Sequence, residues 1–283
     1  MDKILTLLDG SAYSESVCHH TAWIAQKLNA GVEAMHVLGR REGAASSDLS
    51  GALGLGARST LLAELSSLDE QWAKLAQAKG HAILEDAKAI LEQDGVPVVN
   101  LRLRKGDILD AVREVENDIR AIIIGKRGEG ADSARGHLGS NLERIVRISK
   151  VPVFAASREF KPISKVLVAY DGSSSANIAI KRMSVSPAFK DLDVCVLCVG
   201  QDNARAQATA EEAVAKLHGA NILASPRAAT GEPEEVLAKL VSDEGFNLLV
   251  MGAYGHSRIR SLIIGSTTTA MIRTVKIPVL LYR

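Results

Sequence analysis

The chain of 283 residues repeats itself once, and this internal repeat limits the folds open to it more than any other feature. KILTLLDGS (3–11) aligns with KVLVAYDGS (165–173), and both segments predict a strand, an Asp-Gly-Ser turn and the start of a helix. Further along, AIIIGKRG (121–128) aligns with LLVMGAYG (248–255). Because the copies match near both of their ends, each copy is predicted to be a complete domain.

We predict a first domain over residues 1–157 and a second over 158–283, with the polar stretch SREFKPIS (157–164) as the linker. The offset between the copies falls from 162 residues at the first strand to 126 at the last, so copy one carries 36 additional residues. These belong to a Gly/Ala/Ser-rich loop and a long helix at about 39–93, between the second and third strands.

Each copy alternates strands with helices, which predicts a mostly parallel sheet covered by helices on both faces. Runs such as ILTLL, VLVAY and AIIIG are apolar throughout, as expected of strands buried on both faces. The predicted fold class is α/β, with two tandem doubly wound domains of five strands each.

Composition and charge exclude several classes of partner. A net charge of +1 offers no concentrated basic face, so nucleic acid is not expected as a partner. No apolar run reaches about 18 residues and the N-terminus lacks a signal-peptide pattern, so we expect a cytoplasmic protein without a membrane partner. Cys195 and Cys198 lie in one predicted buried strand, where residues three apart face opposite sides, and are interpreted as inert core thiols.

Two features of copy two are expected to meet beyond the carboxyl ends of the strands, where open α/β sheets bind ligands. Asp171 and Ser173 directly follow the first strand, although helix capping alone also explains these residue types. The glycine-rich loop 252–268 leaves the fourth strand and enters the last helix. Its glycines let backbone amides approach phosphate oxygens, and Gly265-Ser266 at a helix start adds N–H groups and a hydroxyl. The loop therefore predicts an anion cradle.

With Gly252, Gly255, Gly265 and Ser266 spaced as G-x2-G-x9-G-S, the chain resembles the tandem members of the universal stress protein family over essentially its whole length. The resemblance implies binding of ATP, ADP or AMP, with Mg²⁺ held through the phosphates rather than by protein side chains. It also implies that the final strands of the two copies pair inside the chain, forming a pseudo-dimer. The site residues that it implies in copy two are Asp171 and Val199 at the adenine and ribose end, Gly255, His256, Gly265, Ser266 and Thr267 at the phosphates, and in addition Ser173, Gly252 and Thr268.

Copy one departs from this spacing. Ten residues rather than nine separate Gly128 from Gly139, and Glu143 puts negative charge in the first helical turn, where it competes with phosphate. Against this, Lys126, Arg127, Arg135 and His137 give the loop more positive charge. The corresponding second site consists of Asp9, Ser11, Val37, Gly125, Gly128, Gly139 and Ser140.

The long helix of copy one carries apolar residues at three- and four-residue spacing, which predicts a single apolar stripe. Ordinary core packing is the expected role, and a partner or apolar-ligand groove is the alternative. The stripe comprises Leu61, Leu65, Leu68, Trp72, Leu75, Ile83, Ala87 and Ile90. Among the histidines, only His19 and His20 are adjacent, and neighbours on a helix diverge by about 100°, so no metal site is predicted.

The leading functional hypothesis is a stress-response module that binds an adenine nucleotide, mainly in the second domain, and changes its contacts with unidentified protein partners. No catalytic pair is recognisable, so a fast enzyme is not expected. One alternative is a scaffold that binds no nucleotide and docks a partner or apolar ligand on the first-domain helix. Another is a slow ATPase or adenylyl-transfer enzyme, although the Walker motif GxxxxGK[ST] is absent. Further association of chains into homodimers stays open.

Overall fold

The computed structural model describes residues 3–39, 55–128, 139–253 and 266–283. Copy one forms β1 (Lys3–Leu8), α1 (Ser14–Leu28), β2 (Gly31–Leu38), α2 (Leu55–Gln93), β3 (Val99–Lys105), α3 (Ile108–Val115), β4 (Ile119–Gly125), α4 (Ser140–Ile148) and β5 (Val153–Ala156). Copy two forms β6 (Lys165–Ala169), α5 (Ser174–Val185), β7 (Asp193–Val199), α6 (Asn203–His218), β8 (Ala224–Ala229), α7 (Pro233–Asp243), β9 (Leu248–Gly252), α8 (Ser266–Thr274) and β10 (Val279–Tyr282). Short 3₁₀ turns follow α3 and α5, the second at Pro187–Phe189.

All ten strands form one sheet, in the order β3-β2-β1-β4-β5-β10-β9-β6-β7-β8. Neighbouring strands are parallel within each copy, and the single antiparallel pair of this sheet is β5 with β10, where Phe154 lies opposite Leu280. The predicted α/β class and the intramolecular pairing of the two final strands are therefore confirmed. A pseudo-twofold axis passes between β5 and β10 and relates the two halves.

Helices cover both faces of the sheet. One apolar core lies under α1, α2, α5 and α6 and includes Phe154 and Cys198. The other lies under α3, α4, α7 and α8 and includes Cys195. The two cysteines of β7 are thus buried on opposite faces, as predicted, and burial raises the pKa of both thiols. Among the described residues, no helix is long and apolar enough to cross a membrane.

Helix α2 lies where the inserted helix was predicted, between β2 and β3, but its stripe does not pack in the core over its whole length. Residues 40–54 of the predicted loop lie outside the described part of the chain. Toward its C-terminus the helix packs on β2, β3 and α1, with Leu84 and Leu91 fully buried. Leu68, Trp72 and Leu75, which were expected in the core, are instead 50%, 59% and 63% exposed. The reason is length: a helix of 39 residues spans about 58 Å at 1.5 Å per residue, far more than the strands it covers.

Asn247 fastens the linker to the second domain, just before β9. Its side-chain oxygen accepts hydrogen bonds from the backbone N–H groups of Ser164 (3.0 Å) and Lys165 (2.9 Å). Its amide nitrogen donates to the Pro162 carbonyl (3.0 Å) and to the Ser164 hydroxyl (3.2 Å). The entry into β6 is therefore held by one side chain.

Replacing Asn247 with alanine is expected to lower the free energy of unfolding by about 1 kcal/mol, since the lost bonds lie at a partly exposed position. Urea denaturation measures this change, and hydrogen exchange should accelerate at the Ser164 and Lys165 amides. Gln201→Ala, an exposed substitution of similar chemistry, is the control. Unchanged exchange at both amides in Asn247→Ala would contradict the role of this side chain.

Candidate functional site

The strand order reverses direction at two places, between β1 and β4 in copy one and between β6 and β9 in copy two. In a parallel sheet, the crevice beyond the carboxyl ends of two such strands is the usual ligand site. Asp9 follows β1 and Gly125 ends β4, while Asp171 follows β6 and Gly252 ends β9. The structure therefore places the key residues of both predicted sites at the topological switch points.

In copy two, Asp171 shapes the turn between β6 and α5. Its Oδ1 accepts a hydrogen bond from the Ser173 backbone N–H (2.9 Å), and Gly172 between them has φ +73°, a conformation that favours glycine. The Ser173 hydroxyl accepts from the Ala176 N–H (3.3 Å) and caps α5. The predicted capping roles are present, and the positive end of α5 points toward the crevice.

Gly252 brings β9 into close contact with the first turn of α5. A Cβ at this position would lie 2.2 Å from the Ser175 Oγ and 3.0 Å from the Ala176 backbone nitrogen. Only a residue without a side chain fits there. Gly252 therefore sets how closely the N-terminus of α5 approaches β9. Ser175, which forms the surface facing Gly252, was not predicted from the sequence.

Thr268 links the start of α8 to the end of β9. Its hydroxyl donates a bifurcated hydrogen bond to the carbonyl oxygens of Gly252 (3.4 Å) and Ala253 (3.3 Å). The first turn of α8 carries no acidic residue, so the positive end of this helix is not opposed by a carboxylate of its own. Thr268, Gly252 and the Asp171–Ser173 turn thus surround one crevice. Of the remaining residues, Val199 ends β7 beside this edge, whereas Gly255, His256, Gly265 and the side chains of Ser266 and Thr267 lie outside the described part of the chain.

Copy one builds the same turn from Asp9, whose Oδ1 accepts from the Ser11 N–H (3.0 Å). A Cβ at Gly128 would lie 2.8 Å from the Asp9 Oδ2, so the loop glycine packs directly on the carboxylate. Gly139 and Ser140 begin α4, and Glu143 lies in its first turn, as the sequence indicated. Val37 lies on β2 at the same edge of the sheet. The structure therefore also brings the copy-one residues together.

The helix above each turn differs between the copies. In copy one, a Cβ at Gly10 would lie 2.7 Å from Ile83 Cδ1 of α2. In copy two, the nearest atom to a Cβ at Gly172 would be the Thr209 Cγ2 of α6, at 3.8 Å. Helix α2 also approaches β2 closely, since a Cβ at Gly80 would lie 3.0 Å from a ring carbon of His36. Among the described residues, the inserted helix therefore lies closer to the Asp9 turn than α6 lies to the Asp171 turn.

Lys126 does not supply positive charge to the copy-one loop, contrary to the sequence interpretation. Its side chain is buried, with the residue 6% exposed, and Nζ donates a hydrogen bond to the Val275 carbonyl (2.8 Å) at the C-terminal end of α8. Burial, with a smaller contribution from Arg127, lowers its pKa from 10.5 to about 7. The amine therefore belongs to the contact between the two copies. Arg135 and His137 of the same loop lie outside the described residues.

The histidines on α1 and β2 of copy one make structural contacts. His36 binds the Leu8 carbonyl through Nδ1 (2.7 Å), and His19 Nδ1 contacts the Asp94 carboxylate (2.6 Å). His20 is buried in the core, where desolvation lowers its pKa to about 4. Within the described ranges, no group of three or more histidines, cysteines or carboxylates could hold a metal ion.

The fold, with a crevice at the switch point of each copy, defines the class of protein. It is a tandem α/β protein with the architecture of nucleotide-binding domains. The model of the universal stress protein family matches residues 1–156 and 162–283. A universal stress protein of Synechocystis is 38% identical, with both chains covered completely, and one of Mycobacterium tuberculosis is 26% identical over 60% of this chain and 64% of its own. A universal stress protein structure from Archaeoglobus fulgidus has a TM-score of 0.71 at 19% identity, covering 100% of this chain and 96% of that one. The chain belongs to the universal stress protein family.

Proposed function

We propose that this protein binds an adenine nucleotide in the crevice of copy two. The observation that carries the proposal is the convergence of two helix N-termini, those of α5 and α8, with the glycine end of β9 at the topological switch point. Helix N-termini present unpaired N–H groups and a positive dipole, which suit phosphate oxygens. The G-x2-G-x9-G-S spacing and the shared family add support from the sequence.

In this proposal, Asp171 and the Val199 backbone contact the adenine and ribose, and Ser173 fixes the α5 start. Gly252 and Thr268 position the loop that holds the phosphates. The remaining phosphate ligands are the residues named from the resemblance: Gly255, His256, Gly265, Ser266 and Thr267. ATP, ADP and AMP share the features that this site recognises, and Mg²⁺ would bind through the phosphates. Copy one is the lesser site because Glu143, in the first turn of α4, opposes a phosphate there.

We infer a signalling or protective role in the cytoplasm, in which nucleotide occupancy changes protein contacts, rather than fast catalysis. Leu68, Trp72 and Leu75 support a role in protein contacts, since they form an exposed apolar strip at helical spacing on α2. A turnover of ATP at about 1 per second or faster by purified protein would contradict the non-enzymatic role.

The assignment to copy two is tested with the matched variants Asp171→Ala and Asp9→Ala, which remove the same turn contact in each half. Magnesium-ATP at ten times its dissociation constant should raise the free energy of unfolding by about 1.4 kcal/mol in the wild type. We expect Asp9→Ala to keep this stabilisation and Asp171→Ala to lose most of it. Thermal melts with and without nucleotide measure the change within each variant, so any loss of intrinsic stability cancels.

Retention of the full stabilisation by Asp171→Ala, together with its loss in Asp9→Ala, would move the site to copy one. Absence of any shift in the wild type, with no nucleotide released from the denatured protein, would overturn the proposal. That result would favour the scaffold that binds no nucleotide.

A further inference from the structure

A cavity of about 430 Å³ lies between the two copies, on the face of the sheet covered by α1 and α5. Trp23 and Leu28 of α1 form one wall, and Val185 with the turn at Pro187–Phe189 forms the opposite wall. The volume is in the usual range for small-molecule sites, roughly 300–1,000 Å³. This cavity is separate from both crevices, which lie beyond the carboxyl ends of β1, β4, β6 and β9.

The floor of the cavity is apolar and is built from the strands at the pseudo-twofold axis. Phe154 of β5 and Leu280 of β10, which lie opposite each other in the antiparallel pair, line it together with Ile123 of β4. All three side chains are buried. Phe189, also buried, lines the cavity from above the sheet. An aliphatic chain would find apolar contacts along this floor.

The charged residues in the cavity lining are all basic: Arg120, Lys150 and Arg182. The strand register places Arg120 level with Val151, the residue after Lys150, since Ile122 pairs with Val153. Lys150 has an acidic neighbour outside the lining, the buried Glu116 at 3.9 Å.

Arg182 is the basic residue that copy two contributes to the lining. The register sets Leu281 opposite Val153, so Tyr282 of copy two lies next to the segment of copy one that follows Lys150. Three cations from the two copies therefore line one apolar cavity.

We propose that this cavity binds a free long-chain fatty acid, with its carboxylate held by the basic lining residues Arg120, Lys150 and Arg182 and its chain over Phe154 and Leu280. A single aliphatic chain with one anionic head matches both the apolar floor and the basic charge of the lining. Neither half of the chain forms this site alone, because its walls come from both copies.

Trp23 provides a direct test because it lines the cavity, whereas Trp72, the second of two tryptophans in the chain, lies exposed on α2. In a Trp72→Phe background, 9,10-dibromostearate below its micelle concentration should quench Trp23 fluorescence saturably. Its methyl ester should bind about tenfold more weakly because it lacks the charge. An absence of quenching, or quenching equal for acid and ester, would overturn the proposal.

Three variants in the same background locate the binding site. Arg182→Glu should weaken binding of the acid about tenfold, while Lys181→Glu, an exposed change on the next residue that does not line the cavity, should leave it unchanged. Ala121→Leu, at a residue that lines the floor, should abolish quenching, and a cooperative melt checks that the variant is folded, since added side-chain volume typically costs about 1–3 kcal/mol. Equal binding by all three variants would contradict the site, as would quenching by brominated anionic lipid vesicles but not by the free acid.

Discussion

Replacing Gly252 with alanine is expected to destabilise the second domain by about 2 to 3 kcal/mol and to abolish nucleotide binding. The new Cβ would lie 2.2 Å from the Ser175 Oγ and 3.0 Å from the Ala176 backbone nitrogen, so the side chain alone cannot relieve the clash. The α5 N-terminus must move away from β9, and overpacking of this kind typically costs 1–3 kcal/mol. Urea denaturation measures the first effect and ATP-dependent thermal stabilisation the second.

A second substitution separates the clash from other causes. Ser175→Gly removes both side-chain atoms that the new Cβ meets at less than 3.0 Å, so the double variant Gly252→Ala/Ser175→Gly should recover part of the lost stability. Gly219→Ala is the matched control, since a Cβ there would have no neighbour nearer than 3.5 Å. If Gly252→Ala proved as stable as Gly219→Ala, the close approach of β9 to α5 would be wrong.

Lys126→Met is expected to change how stability depends on pH. In the folded protein burial lowers the pKa of Lys126 to about 7, from an ordinary value of 10.5. Below pH 7 Lys126 is protonated in both the folded and the unfolded protein. The full cost of burying its charge then lowers the free energy of unfolding. Between about pH 7 and 10.5 the unfolded chain binds more protons than the folded one, so this residue makes stability rise with pH. From pH 6 to pH 9 the wild type should gain about 2 to 3 kcal/mol relative to the methionine variant.

The measurement is the difference in unfolding free energy between the two proteins at each pH. Taking the difference removes other titrations, such as that of buried Cys18, whose raised pKa of about 12 lowers stability at alkaline pH. Lys190→Met, at an exposed position, is the control and should show no such slope. A pH-independent difference for Lys126→Met would contradict the burial of a titrating amine between the copies.

Most of the fold could be predicted from the sequence because the repeat constrained it twice. Two copies of strand, Asp-Gly-Ser turn and helix indicate two doubly wound domains, and the fully apolar runs indicate strands buried on both faces. The exposed residues Leu68, Trp72 and Leu75 could not be predicted, since periodicity shows which residues share a helix face but not where the neighbouring layer ends.

The candidate site could likewise be predicted only in part. Asp171 and Gly252 were predictable from strand ends and turn chemistry, whereas the facing Ser175 and Ile83 depend on how helices are positioned over the sheet. A comparison of α2 with α6 would have indicated the difference at Ile83, where copy two has Thr209. Lys126 was misassigned because its place at a strand end suggested the loop, while its side chain crosses to the other copy.

The antiparallel contact between β5 and β10 has a consequence for how the two halves can change. In an assembly of two separate identical chains, every substitution appears on both sides of the axis. In this covalently joined pair, Lys126 lies in one half only, and the equivalent residue of the other half is Ala253. The Lys126 amine therefore donates to the Val275 carbonyl without meeting a second ammonium group. The inserted helix α2 likewise belongs to one half alone, where it lies beside the Asp9 turn. Joining the halves in one polypeptide allows division of labour, in which one half carries a helix and a buried amine that the other lacks.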